Sequence, residues 1–342
     1  MKKQLILSSL CICLFMLSLG CPSDPGVTNI TTLGNYGAMR LYTSNSGGNW
    51  SSLYNMTFQS EQINYEIYSI QRVSCFDGDL RHLTIIGGNN SHIYNTTNYG
   101  GKWEPNYFSG SGFQAMSKTS LDGVGFLTGF HEQWKTQDNG FSWTASANPY
   151  NWPDYYIGID FCSENNGICI PEYPGDTTIY TTDGGTLWQQ GSMITNSQYM
   201  SDIRFISSFP GTEAVVCGNS GSIYRTTDLG VSWQQIVSPV NDKDFNRVDF
   251  IDPVGIIVGN SGAIVRTTDR GLSWTIINSG VTNNLRSVYL EASNYWIVGD
   301  NVILRSGDQG RTWTVVRNAS DEFYTDMVFV KNEGVVVGNK NR

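Results

Sequence analysis

Gly259-Asn260-Ser261-Gly262-Ala263-Ile264-Val265-Arg266-Thr267-Thr268-Asp269-Arg270-Gly271-Leu272-Ser273-Trp274 is the stretch that decides the architecture. An apolar, β-prone run feeds a Thr-x-Asp-x-Gly-x-x-Trp turn, and that turn recurs along the chain. Copies begin at Thr43, Thr96, Thr136, Thr181, Thr226, Thr267 and Ser306. Each has Asp or Asn at its third position, Gly at its fifth and Trp at its eighth. Successive tryptophans, from Trp50 to Trp313, stand 39 to 53 residues apart. A period of about 40–45 residues marks one four-stranded propeller blade per repeat.

Every element of the turn has a mechanical task. The Asp or Asn side chain accepts hydrogen bonds from backbone N–H groups just ahead of it. The Gly takes the positive φ of a tight hairpin without a Cβ clash. The Trp opens the next strand and offers a large apolar surface between blades. This is the Asp-box, or BNR repeat, so Asp138, Asp183, Asp228, Asp269 and Asp308 read as structural staples and not as catalytic groups.

The Phe245–Ser279 repeat supplies the template. Four short apolar strands are joined by a Gly-Asn-Ser-Gly turn and then the Asp-box. Continuous apolar runs suit strands covered on both faces by neighbouring blades. The chain ends hold complementary halves: Gly37–Tyr42 with the first Asp-box at one end, and Met327–Val330 with Val335–Asn339 at the other. Neither half hides its edges alone. Residues 35–342 are therefore expected to form an all-β, seven-bladed propeller, its ring closed by pairing the N-terminal and C-terminal half-blades.

Ahead of the repeats lie Met1-Lys2-Lys3, an apolar run from Leu5 to Leu19, and Gly20-Cys21. That is the order of an export signal, too short for a retained membrane span. Residues 1–20 resemble a bacterial lipoprotein signal with Cys21 as the lipidated first residue, although Ser18 stands where Leu is usual. A plain signal peptide is the alternative. Residues 21–34 read as a flexible tether rich in Pro, Ser, Gly and Thr. The expected location is the bacterial cell envelope, with the membrane held through the lipid. Removing Lys2 and Lys3 with the leader takes the formal charge from −9 to −11, which lacks the electrostatic footprint for nucleic acid. A monomer is expected.

No cofactor or metal is expected. His82, His92 and His131 are scattered, without the short spacings of a zinc site. Cys162 and Cys169 could face each other across a hairpin, and export permits a disulfide, but adjacent-strand geometry often does not suit one. Both readings stand. Cys75 and Cys217 read as small buried residues.

The pattern Gly-Asn-x-Gly-x-Ile-x-x-Thr-Thr-Asp-x-Gly-x-Ser-Trp at 259–274 and 218–233 resembles the photosystem II stability/assembly factor family. That resemblance implies an exported seven-bladed propeller without enzymatic activity that binds a protein client. It also implies a client-binding surface rich in arginine. The matching positions are Arg225, Arg266 and Arg305, each directly before an Asp-box Thr or Ser, with Lys135 at the equivalent place earlier. Two roles stand open for them: a partner site, or solvation and pairing of strand ends. Arg247 and Arg286, with Arg72 and Arg204 nearby, mark the inner strands at the mouth of the central channel. The loop 145–156 adds Trp152 and Tyr155 there as amphipathic anchors, or as ordinary packing.

Asp-boxes also occur in sialidases, which need an arginine triad, a Tyr nucleophile activated by Glu, and an acid Asp. The Phe/Tyr-Arg-Ile-Pro signature is missing, and Tyr65-Glu66 is a bare dipeptide. Shared repeats do not transfer chemistry. The expected function is binding of a protein client, with assembly or stabilisation of a membrane complex as the setting the resemblance implies. A glycan- or matrix-binding module is the second reading, and a sialidase-like hydrolase the third.

Overall fold

A computed structural model describes residues 36–43, 51–54, 70–87, 92–100, 103–106, 112–119, 121–129, 132–146, 155–195, 198–207, 211–292, 294–330 and 333–341. Strands dominate, and two short 3-10 turns occupy the Gly-Asn-Ser-Gly linkers. In the fifth sheet Phe245–Ile251, Val254–Gly259, Ile264–Thr267 and Thr275–Ile276 pair antiparallel in chain order. The same meander builds the first to fourth sheets, whose inner strands are Ile70–Ser74, Ala115–Lys118, Tyr156–Phe161 and Met200–Phe205.

The sixth sheet has six strands. Their order is Ser51–Tyr54, Tyr36–Thr43, Glu333–Asn341, Thr314–Val330, Asn294–Ser306 and Leu285–Glu291. The all-β propeller stands, but the expected seven blades become six. The reason is continuity of the ladder. Asn294–Ser306 passes through the expected turn at Asp300-Asn301, and Thr314–Val330 runs unbroken where two separate strands were expected. Pairing continues across the intended boundary, from Val302↔Asn318 to Asp300↔Phe323. The chain's two ends do meet inside this sheet, with Leu41 opposite Val336 and Thr43 opposite Gly334.

Packing explains how six strands fit beside sheets of four. The sixth sheet folds on itself, so that Trp296, Val298 and Ile303 pack against Tyr324, Met327, Phe329 and Val336. Elsewhere each sheet buries its face against the next. Val215, Cys217 and Ile223 meet Val248, Ile257 and Val265 between the fourth and fifth sheets. Val328, Val335 and Val337 meet Val73, Ile85 and Tyr94 between the sixth and first, which completes the ring.

The Asp-boxes hold the hairpins as their chemistry requires. Thr136 Oγ1 donates to Asp138 Oδ1 at 2.9 Å and accepts the Gly140 N–H at 2.8 Å, while Asp138 Oδ1 accepts the Ser142 N–H at 2.8 Å. The boxes at Asp183, Asp228, Asp269 and Asp308 repeat this pattern. One feature was not legible. Among the described boxes the residue before the box glycine is also left-handed, with φ of 58° to 63° at Tyr99, Asn139, Leu229, Arg270 and Gln309 and 71° at Gly184. That places its carbonyl outward, toward the neighbouring sheet.

Candidate functional site

Inner strands point alternate side chains at the axis, where a cavity of about 100 Å3 lies. In register, Arg72, Asp202, Arg247, Ser287 and Asp326 occupy one tier. Ser117, Asp160, Arg204, Asp249 and Tyr289 occupy the next. We call the end where inner strands begin the leading face, and the opposite end the box face.

The carboxylates bind sheet to sheet. Asp160 accepts the Phe205 N–H at 2.8 Å, Asp202 that of Val248 at 3.0 Å, Asp249 that of Leu290 at 2.8 Å, and Asp326 that of Val73 at 3.1 Å. Ser117 Oγ accepts the Phe161 N–H at 3.0 Å and donates to Asp160 at 2.9 Å. In every case the donor belongs to the next inner strand round the ring. Two arginines then link the carboxylates of the sheets on either side of them. Arg204 pairs with Asp249 at 2.8 Å and Asp160 at 3.3 Å; Arg247 pairs with Asp326 at 2.9 Å and Asp202 at 3.4 Å.

Titration follows from this wiring. Burial opposes the charge on Arg204 and Arg247, but the surrounding aspartates outweigh it and raise both guanidinium pKa values. Burial likewise opposes ionisation of Asp326, yet Arg247 and Arg72 pull its carboxyl below the usual range. At Asp160 desolvation wins over Arg204 and pushes the carboxyl up. Arg72, desolvated and beside Arg247, falls to about 10; its Nη1 donates to the Gln71 carbonyl at 3.1 Å. The sequence marked Arg247, Arg204 and Arg72 but missed the aspartates. Their signal was the alternation Asp202-x-Arg204 and Arg247-x-Asp249 inside otherwise apolar strands.

Arg286 lies apart from the channel, exposed, paired with Asp300 at its own sheet's turn. Two of the three pre-box arginines, Arg225 and Arg266, are clamps between sheets. Arg225 is buried, donates Nε to the Arg270 carbonyl at 2.9 Å, and pairs with Glu213 at 2.9 Å. Arg266 donates Nε to the Gln309 carbonyl at 2.8 Å. Lys135 reaches the Gly184 carbonyl at 3.1 Å. These acceptors are the carbonyls turned outward by the left-handed residue of the next box. Arg305 differs: Asn294 Oδ1 holds its Nε and Nη2 at 2.8 and 2.6 Å, and its guanidinium lies 5.6 Å from the centroid of the Trp296 ring.

Trp152 and Cys21 lie outside the described residues. Tyr155 stands on the leading face in a row the sequence had not assembled. Its ring meets Tyr173 edge-on at 6.1 Å, and Tyr173 meets Tyr199 at 6.2 Å. Tyr173 and Tyr199 are 44% and 46% exposed. They come from the turn after a second strand and the approach to the next inner strand, so only the fold brings them together.

Of the two readings left open for Cys162 and Cys169, the structure has the unbridged one, with both thiols free. Cys162 belongs to the cluster between the third and fourth sheets, Cys169 to that between the second and third. Their side chains therefore leave the hairpin on opposite faces. Burial raises the Cys162 thiol to about 12. A Tyr–Glu pair does occur, Tyr324 with Glu322, joined by Arg317 Nη2 to Glu322 Oε1 at 2.9 Å. Tyr324 is fully buried, and desolvation raises its pKa, the reverse of what a nucleophile requires.

No protein-family model matches the chain, and comparison with curated proteins gives no match. Solved structures are similar in fold. One described as "YCF48 bound to D1 peptide" superposes with a TM-score of 0.62 at 17% identity, covering 91% of this chain and 96% of its own. YCF48 from Cyanidioschyzon merolae gives 0.62 at 14% identity, covering 80% and 94%. An inactive virginiamycin B lyase from Staphylococcus aureus gives 0.64 at 13% identity, covering 89% and 99%. At these identities the likeness extends to the propeller fold. A binding protein and a lyase share it, so the fold leaves the activity to the site.

Proposed function

We propose that the chain is an exported propeller, lipid-anchored at Cys21 in a bacterial envelope, that binds a protein client and does not catalyse a reaction. The observation that carries this reading is the contrast between channel and leading face. The channel carboxylates are engaged by backbone N–H groups and arginines, which leaves no poised acid–base pair there. The leading face offers exposed amphipathic rings, the residues that anchor protein interfaces. Likeness to a propeller whose structure holds a D1 peptide supports the same direction. It fits a role in assembling or stabilising a membrane complex, in the manner the Asp-box resemblance implies. Among the pre-box arginines, the clamps leave Arg225 to structure and make Arg266 and Arg305 secondary contacts at most.

Affinity purification of the tagged protein from its own envelope, after mild cross-linking, tests this. The expected outcome is a stoichiometric protein partner, together with acyl chains on Cys21 by mass spectrometry of the mature N-terminus. Turnover of a fluorogenic sialoside abolished by Tyr324→Phe would overturn the non-enzymatic reading. An unmodified N-terminus elsewhere would overturn the anchor.

A further inference from the structure

We propose that the tyrosine row on the leading face of the third and fourth sheets receives an extended, lysine- or arginine-bearing segment of the client. This rests on the protein-binding reading and names the chemistry of what is bound. Tyr155, Tyr173 and Tyr199 follow one another at 6.1 and 6.2 Å, with the outer two-thirds of the row open to solvent. Tyrosine faces attract ammonium and guanidinium groups through the ring quadrupole. Glu172 and Asp176 flank Tyr173 in the same turn, where the Asp176 N–H bonds to the Tyr173 carbonyl at 3.3 Å.

The charge of the surrounding chain points the same way. Between Lys135 and Arg204 there are eight carboxylates and no Lys or Arg. The third sheet falls wholly in that span, and so does the row. This span alone carries −8 of the chain's formal −9. Asp138 and Asp183 of this span serve boxes on the opposite face, and Asp160 and Asp202 are paired in the channel. Glu172 and Asp176 are the carboxylates beside the row, and they favour a cationic partner over an anionic one. A glycan would find the rings but would gain nothing from the carboxylate field. Peptide length follows from geometry: the row spans roughly 12 Å between outer ring centroids, about four extended residues at ~3.3 Å each.

Fluorescence anisotropy tests the proposal on the mature chain with two labelled dodecapeptides, (Gly-Lys-Ser)4 and (Gly-Glu-Ser)4. The lysine peptide should bind saturably and weaken as salt rises, while the glutamate peptide should not bind. Tyr173→Ala with Tyr199→Ala should weaken the lysine peptide about ten-fold, two exposed cation–π contacts each contributing a few-fold. Glu172→Gln with Asp176→Asn should weaken it several-fold and flatten the salt dependence, with melting temperatures unchanged. Equal binding of both peptides, or no effect of the tyrosine pair, overturns the inference. Tyrosine-dependent binding of chitohexaose in place of the peptide overturns it as well. A captured client that stays bound to the tyrosine double variant overturns this inference alone and leaves the protein-binding reading standing.

Discussion

The two ends of this propeller use polar side chains in opposite ways. At the box face of the described repeats, Asp and Thr are engaged within their own turn, Arg225, Arg266 and Lys135 on the next sheet's carbonyl, and Arg305 on Asn294 of its own sheet. At the leading face three tyrosine rings meet edge-on in a row, two of them nearly half exposed. Repetition marks the first end, because every sheet needs the same staple. The second end breaks repetition, since the row occurs where the third and fourth sheets meet. In a repeat protein, then, the recurring residue reports stability and the irregular one is where recognition is sought.

The comparison can be broken most severely in the channel that joins the two ends. Asp249→Ala removes the acceptor of the Leu290 N–H and takes from Arg204 its shorter carboxylate partner, leaving the 3.3 Å pair with Asp160. Loss of one partner from a buried, hydrogen-bonded ion pair costs about 3–5 kcal/mol, which chemical denaturation would read directly. Arg225→Met should cost less, about 2 kcal/mol, because Arg270 stays 3.3 Å from Glu213 after the change. Asp228→Ala at a more exposed box should cost about 1–2 kcal/mol for the lost Ser232 bonds. Tyr173→Ala should move stability by under about 0.5 kcal/mol, as surface substitutions do. A stability loss at Tyr173 as large as that at Asp228 would erase the distinction between the two ends.

Acid sharpens the same contrast. Partial burial resists ionisation of Asp138, Asp183, Asp228 and Asp269, but the hydrogen bonds of the box outweigh it and lower all four carboxyls. At Asp308 the Thr312 hydroxyl bond leads, and the carboxyl falls to about 2. Folded values below the unfolded value of about 3.9 mean that this stabilisation is complete above pH 4. It is lost as pH falls through the folded values. Melting temperature should therefore drop between pH 4 and 2, and Asp228→Asn should blunt the drop.

Much of the fold was legible because the Asp-box forces the same hairpin wherever it occurs. The division into sheets was not. Nothing in Thr314–Val330 signals that one strand will serve both halves of the sixth sheet, since the polar run Arg317–Glu322 in its middle reads as a loop between two strands. Left-handed φ at Leu229 and Arg270 was equally hidden, because neither residue type favours it. Without that carbonyl, the sequence left Arg225 and Arg266 open between a partner site and paired strand ends; the geometry makes them clamps. Tyr173 and Tyr199 belong to no motif in the sequence and lie 26 residues apart. The cation-free span around them was the signal that could have found them.

The most direct measurement places a photo-cross-linking residue, p-benzoylphenylalanine, at position 173 or at position 266 and irradiates cells carrying each variant. The account predicts a discrete protein adduct from 173, on the leading face, and none or a trace from 266 on the box face. An adduct from 266 with none from 173 would contradict it, and would return client binding to the arginine rim.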